Sequence, residues 1–425
     1  MEFDVFSQSD VGCVRTNNED AYFVSPDHGL FVVCDGMGGH NAGEVASQLS
    51  CKLISSELCS TRVANMKEKF EGSGHPEDLR ALQRTVEQAV SSACRAIFEE
   101  AMNDPGKAGM GTTCTVVLFA GRDKAVLAHV GDSRLYLVRG EDIHQISEDH
   151  TYVNELVKRG LLKKSEAHDH PQGNVLSRAM GVQPNVAIDT MLFDIDANDT
   201  LLLCSDGLYN YYPEAKELIP TLQEEDIRQS LGTLVNTAKE RGGHDNITGV
   251  VIRIKTGEIP VAAAERLKIL KKIAIFSHLQ HLELMKVLGT AQMAKVNQGD
   301  NLITEGEIGD VMYVIVKGEV DIIKGEDVLT TLPAGVHLGE MALVDNAPRS
   351  ATARARTDLD ILLIRRDEFF NIVRAEPVIA TKLLWSLVQV LSGRLRQTNA
   401  ALEGARRELA GDIEGFEILF DDDDE

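Results

Sequence analysis

The sequence predicts an α+β protein of two domains: packed β-sheets covered by helices through about residue 256, then a small β-roll flanked by helices. Three observations predict it. The chain has 425 residues, more than the ~100–200 that one hydrophobic core usually organises. Up to about residue 256, short apolar runs alternate with long amphipathic stretches. After Lys255–Arg266, a piece with a Gly, a Pro and few large apolar groups, the pattern changes. A helical stretch there gives way to short strands punctuated by glycine.

Taken in order, the runs Leu30–Cys34 and Thr200–Cys204 read as buried strands, each closed by an acidic, Gly-containing turn. A helix is expected after Gly43, with Val45, Leu49, Leu53 and Leu58 near one face. A second places Leu79, Leu82, Val86, Val90, Ala93 and Ile97 at helical spacing. Cys114–Ala120, Ala125–Val130 and Leu135–Val138, joined by the turns GRD and GDS, predict an antiparallel meander. Farther on, Val311, Tyr313 and Ile315 alternate with Met312, Val314 and Val316, so both strand faces are apolar before the turn Lys317–Glu319, as a closed roll requires. Leu383, Leu384, Leu387, Val390, Leu391 and Leu395 predict a helix continuing to about Ala410. The final DDDDE reads as a solvated tail. The expected division is 1–256, 262–398, and a helical extension with acidic tail over 399–425.

Net charge is −23, from 66 acidic against 43 basic residues, and would repel phosphate backbones and anionic lipid. Neither a nucleic acid nor a membrane is expected as a partner. No run approaches the ~20 apolar residues that span a bilayer and the N-terminus is polar and acidic, so a cytoplasmic location is expected. The seven cysteines show no CxxC spacing and read as reduced core residues.

The chemistry concentrates in four acidic turns: DGMGGH at Asp35–His40, SDG at Ser205–Gly207, Asp245 in GGHDNITGVVI and Asp132 in AHVGDSRLYLV. Any one of them could be ordinary Asp/Gly turn chemistry. Together they suit hard divalent cations, magnesium or manganese, which prefer carboxylate and carbonyl oxygens and retain water. Asp35 is the natural bridge between two ions, with Asp206 and Asp245 on one and the Gly36 carbonyl with waters on the other. A metal-bridging hydroxide could then attack a phosphoryl group in line, with no protein nucleophile.

The segments SDVGCVRTNNEDA, VVCDGMGGHNAGEVAS, GTTCTVV, HVGDSRLY, LCSDGLYN and GGHDNITGVVI occur in that order. Over residues 1 to about 255 the chain resembles the metal-dependent type 2C serine/threonine phosphatases. The resemblance implies an αββα sandwich with metals at one edge, a core site of Asp35, Gly36, Asp206 and Asp245, and a looser third ion on Asp132 and Asp206. It also implies that Glu19 and Asp20 hold metal-bound waters and that Arg15 takes the substrate phosphate, a task suited to a guanidinium. Met37 stands where animal members carry a histidine proposed as general acid, and Met cannot donate a proton. His40 could serve instead; so could a metal-bound water, and His40 could simply brace its loop. The stretch Asp149–Gly181, with Asn154, Arg159, His168 and Arg178, matches the family's variable flap.

In HLGEMALVDNAPRSATARA a Glu stands nine residues before an Arg, and the segment resembles the phosphate-binding cassette of cyclic-nucleotide-binding domains, over about 275–395. By that resemblance Gly339 forms a turn, Arg349 neutralises the cyclic phosphate, backbone amides from Glu340 to Ala342 donate to its oxygens, and Glu340 accepts the ribose 2′-hydroxyl. Ser350 adjoins Arg349. PRSAT is similar to bacterial cAMP receptors, which points to cAMP over cGMP. Trp385 is read as packing on a helix face, with base capping as the alternative. The combination implies a phosphatase for phosphorylated Ser/Thr proteins, regulated by cyclic nucleotide, with a last helix that could pair two copies as a homodimer or pack on its own roll. The alternative is an inactive, phosphatase-like signalling scaffold.

Overall fold

The computed structural model describes residues 2–38, 42–121, 123–167, 170–256 and 263–417. His40, His168 and the terminal DDDDE lie outside them. The chain divides into two units: residues 1–265 with 288–290, and residues 266–287 with 291–425.

The first unit holds eleven strands among its described residues: β1 (Glu2–Asp10), β2 (Asp20–Ser25), β3 (Leu30–Met37), β4 (Gly111–Thr112), β5 (Cys114–Gly121), β6 (Lys124–Val130), β7 (Arg134–Arg139), β8 (Asp142–Gln145), β9 (Asp189–Asp194), β10 (Thr200–Cys204) and β11 (Ile247–Thr256). They form two antiparallel sheets, ordered β1-β11-β10-β7-β8 and β2-β3-β5-β6-β9, with β4 added on β3. Strand alternation divides each sheet between two interiors. Leu30, Val32 and Cys34 of β3 point to the helices Ala42–Leu58, Thr61–Ser73 and Pro76–Asn103 and share one core with them. The intervening Phe31 meets Phe3 of the other sheet edge-on at 5.7 Å between ring centroids, and Phe119 does so at 5.2 Å. Tyr136, Leu202 and Val251 turn instead to the helix Ile227–Glu240. The result is helices, two sheets, helices. Because both faces of both sheets are covered, the central strands are apolar throughout rather than alternating.

Three expectations are corrected. The run Leu135–Val138 does not continue a meander: β5 and β6 pair, but β7 pairs with β10 in the other sheet. The GDS turn therefore crosses between sheets and carries Asp132 to their shared edge. In helix Ala42–Leu58 the buried face runs through Ala46, Ser50 and Ile54, with Val45, Leu49 and Leu53 only partly buried. Small residues let this helix approach its neighbours closely, so side-chain size misreports the face. Cys13 is exposed and Cys59 half-buried, so only five of the seven free cysteines are core residues.

The second unit is a roll of two four-stranded antiparallel sheets. One orders Gln292–Val296, Leu359–Arg365, Val311–Lys317 and His337–Leu338; the other orders Asn301–Ile303, Thr352–Ala355, Val320–Lys324 and Asp327–Leu332. Ile303, Ile315, Val320, Leu338, Ala353 and Ile361 fill it. The helix Pro377–Glu417 has two apolar stripes. Ile379, Ala380, Leu383 and Leu387 are buried, whereas Leu384, Trp385, Val388, Leu391, Leu395 and Leu402 are exposed. Trp385 is therefore not packed, at 58 % exposure. With both stripes counted, Pro377–Gly404 is long and apolar enough, by length and composition, to cross a bilayer. The expectation that no stretch qualifies is corrected accordingly.

Candidate functional site

Arg15, Glu19, Asp35, Gly36, Asp132, Asp206 and Asp245 line one cavity of about 680 Å³ at the sheet edge. Asp35 lies within β3, which continues to Met37, and its backbone is clamped. Its N–H donates to Thr113 Oγ1 at 2.9 Å, and its carbonyl accepts from the Thr113 amide and the Thr112 hydroxyl, both at 2.9 Å. Gly36 is compelled by close approach: a Cβ there would stand 2.1 Å from the Gly43 carbonyl oxygen and 2.5 Å from that of Glu19. Gly207 plays the same part on the other side, where a Cβ would meet the Asn246 carbonyl oxygen at 2.0 Å. That contact brings the Asp206 turn against the turn of Asp245. Asn246, which the motif reading passed over, ties three segments together. Its side chain accepts from the Glu19 amide at 2.8 Å and donates to the carbonyls of Val11 and Asn17 at 3.0 and 2.9 Å.

Asp20 lies behind the cavity, directly opposite Asp35 across the β2–β3 ladder. Ser205 donates to its Oδ2 at 2.7 Å, while its buried Oδ1 has no hydrogen-bond partner among the described residues. Like charges facing each other across a ladder are destabilising. Burial, then repulsion from Asp206 and Asp245, pushes Asp20 up to about 7. Burial, then repulsion from Asp206 and Asp149, pushes Asp132 up to about 8. Asp35 is raised well above the carboxylate range by burial and by four aspartates around it, and Asp206 is raised by burial and Asp245. Burial also raises Glu19. Desolvated carboxylates that raise one another are relieved by a cation. Among the described residues no three His, Cys, Asp or Glu side chains form a complete cage. Cations here would be held by aspartate carboxylates, with carbonyl and water oxygens completing their shells. That donor set fits magnesium or manganese and not zinc.

Arg15 is half-exposed and donates to Asp245 Oδ2 at 2.8 Å. Of the flap residues singled out in the sequence, Arg178 lines the cavity. It donates to Asp189 Oδ1 at 2.7 Å, and Asp189 also accepts from His150 at 3.0 Å. Against the upward push of burial, these two bonds hold Asp189 well below the usual carboxylate range. Asn154 instead donates to the Asp149 carbonyl at 2.7 Å and braces the loop. Met37, Gly38, Thr113 and several residues between Asn174 and Ala187 supply the rest of the wall; those of the last segment have no motif spacing that could have marked them.

In the roll, Arg349 Nη1 donates to the Gly339 carbonyl at 3.1 Å and Nη2 to the Val311 carbonyl at 2.7 Å. Two glycines make room for the guanidinium: a Cβ on Gly309 or Gly339 would come within 2.5 or 2.6 Å of it. Glu340 is buried, with Oε2 3.9 Å from His337 Nε2. It opens the four-residue 3₁₀ turn Glu340–Leu343. The Ala342 amide donates to the Gly339 carbonyl at 3.2 Å within that turn, so the phosphate-directed role expected of it is taken by the turn itself. Ser350 is exposed beside Arg349.

Comparison with known proteins assigns a family to each unit. The sequence model of the protein phosphatase 2C family matches residues 14–249, and that of the cyclic nucleotide-binding domain matches residues 293–376. The serine/threonine phosphatase stp of Listeria innocua is 35% identical over 248 residues, 58% of this chain and 93% of that protein. PstP of Mycobacterium tuberculosis is 38% identical over 249 residues, 58% of this chain and 44% of the relative. The crystal structure of Mycobacterium tuberculosis PstP/Ppp superposes with a TM-score of 0.53 at 35% identity, covering 60% of this chain and 99% of that one. A PstP catalytic domain in complex with two manganese ions superposes at 0.51, with 34% identity over 60% and 99% of the two chains. A clamped Asp35, glycine-packed acidic turns and an arginine at the rim thus sit on a shared fold, and the chain belongs to the protein phosphatase 2C family, with a cyclic nucleotide-binding domain following the catalytic one.

Proposed function

We propose that this protein serine/threonine phosphatase works with two manganese or magnesium ions and that a cyclic nucleotide, cAMP, bound to the second unit sets its rate. The observation that carries the catalytic half is geometric: Asp35, Asp132, Asp206 and Asp245 line one cavity together with Arg15 and Glu19. Asp35 and the Gly36 carbonyl would hold one of the two ions and Asp35 with Asp206 and Asp245 the other, while Asp132 with Asp206 could take an additional, looser one. When bound, the ions supply Lewis acidity that brings the pKa of water to about 7 and screens phosphoryl charge. The chain's own residues do the rest. Arg15 turns from Asp245 to the substrate phosphate and orients it, and Glu19 and Asp20 accept hydrogen bonds that fix water. The Asn246 and Thr113 clamps keep the carboxylates from drifting apart.

In the second unit Arg349, already oriented by two carbonyls, would meet the cyclic phosphate, and Glu340 the ribose hydroxyl. Regulation requires that the nucleotide bind two conformations with different affinity. The exposed stripe Leu384, Val388, Leu391, Leu395 and Leu402 has the 4–3–4–7 spacing of a coiled-coil seam, which supports a homodimer through this helix. Sedimentation of the full chain and of Leu391→Lys tests it: a dimer unaffected by the charge overturns the seam.

The primary test is hydrolysis of an aryl phosphate with and without manganese, cAMP and cGMP. Manganese-dependent turnover changed by cAMP is expected. Turnover indifferent to either nucleotide would remove the regulatory half, and absence of turnover would leave a binding scaffold.

A further inference from the structure

The catalytic cavity has two unlike walls. Aspartates and Arg15 form one. The other comes from Met37 at the end of β3 and from the segment after Asn174, where Leu176, Val182 and Val186 stand among the polar Ser177, Arg178, Gln183 and Asn185, so that Met37 and Val182 make an apolar patch in it. Met37 and Val182 meet over a single glycine: a Cβ added to Gly111 would stand 2.8 Å from Met37 Cε and 2.9 Å from Val182 Cγ2. Val182 is 48 % exposed, so this apolar surface opens to the cavity.

The position of Val182 is fixed from both sides. Met180 and Thr112 exchange backbone hydrogen bonds at 2.9 and 3.1 Å, and the Ser177 amide donates to the His150 carbonyl at 2.8 Å. Between Met180 and Val182, Gly181 adopts φ +84°, and a Cβ there would meet Ile97 Cγ2 at 2.3 Å. The chain can pass this point only as glycine, and that turn sets Val182 against Met37. Neither side chain can bind phosphate, donate a proton or hold a cation.

We infer that Met37 and Val182 form a subsite for an apolar side chain immediately flanking the phosphorylated serine or threonine, so the enzyme selects phosphopeptides by that neighbour. The inference rests on the phosphatase reading. Arg15 and Asp35, which would face the phosphate, share their cavity with this patch, so a residue adjoining the phosphoresidue would be within reach of it. A leucine there removes its own surface and that of Val182 from water, whereas a glycine removes almost none.

The test uses the full chain with saturating manganese and two phosphothreonine peptides differing only in leucine or glycine on either side of the phosphoresidue. The leucine peptide is expected to have a kcat/KM about tenfold higher, the scale on which apolar pockets discriminate. Val182→Ser should cut that ratio to about threefold or less, with Met37→Ala acting in the same direction. Leu161→Ser, at an exposed flap position outside the cavity lining, should leave it unchanged. A wild-type ratio near one, or a ratio that survives Val182→Ser, overturns the subsite while leaving the phosphatase intact. Failure to hydrolyse an aryl phosphate under the same conditions overturns the catalytic reading and the subsite with it.

Discussion

The catalytic unit gathers like charge and the nucleotide-binding unit isolates a single opposite one, and the two differ in how much of that charge is already satisfied. Around Asp35 the fold packs several carboxylates that burial raises, with one oxygen of Asp20 unpartnered among the described residues. Around Arg349 the fold supplies two carbonyls and two glycines, so the guanidinium is held in place before any ligand arrives. The first site stores unfavourable energy that a cation releases. The second is preorganised and costs little to keep empty. The first should therefore couple its ligand strongly to stability and the second weakly.

The largest effect expected is on turnover. Asp206→Ala removes a carboxylate proposed to touch two ion positions, and manganese-dependent hydrolysis should fall on the order of a thousandfold. Turnover retained at saturating manganese would break the two-ion assignment. Next in size, Arg349→Glu should weaken cyclic nucleotide binding about a hundredfold or more by calorimetry, since it replaces the partner of the phosphate with a like charge. Hydrolysis of an aryl phosphate without nucleotide should persist.

The pH dependence sharpens the comparison further. Asp20 and Asp132, at about 7 and about 8, hold protons in the folded metal-free protein that the unfolded chain has already lost above about pH 4. The folded state binds more protons in that window, so stability should fall as pH rises from about 4 to about 8. Chelator-treated protein should melt on the order of 5 °C lower at pH 8 than at pH 5, and manganese should reverse the difference. A flat profile would mean that the carboxylates are relieved some other way. The smallest effect belongs to Asp20→Asn, which keeps an acceptor for Ser205 and removes a charge. It should raise the metal-free melting temperature by about 2 °C at pH 8 and by less at pH 5.

Much of this was legible in the sequence because the reacting groups lie in short Asp/Gly motifs at or near strand ends, where residue types are locally constrained. Asp35, Asp132, Asp206 and Asp245 could be picked out from the residues themselves, and Glu19 and Arg15 from the family resemblance, before the structure brought them to one cavity. What failed to show depends on distant pairing. The sheet that receives β7 is decided by β10, more than sixty positions on, and no local pattern distinguishes that from a hairpin with β6. The buried face of helix Ala42–Leu58 is hidden because Ala46 and Ser50 do by closeness what larger residues do by bulk. The apolar patch around Val182 has no periodicity; it exists because Gly111 and Gly181 leave room for it.

The pairing of β1 with β11 bears on how the chain matures. Phe3 lies opposite Ile254, and the ladder continues to Asp10 beside Ile247, so the first described strand of the unit is held by its last. Closing a contact so remote in sequence is slow, because the entropy of the intervening loop is lost before any pairing energy returns. During translation β1 waits as an unpaired edge until residues beyond 247 leave the ribosome, and throughout that interval it is available to other strands. The catalytic unit is thus completed late. A protein synthesised only to the end of β10 would carry most of its carboxylates but lack both the turn of Asp245 and the strand that seals its five-stranded sheet.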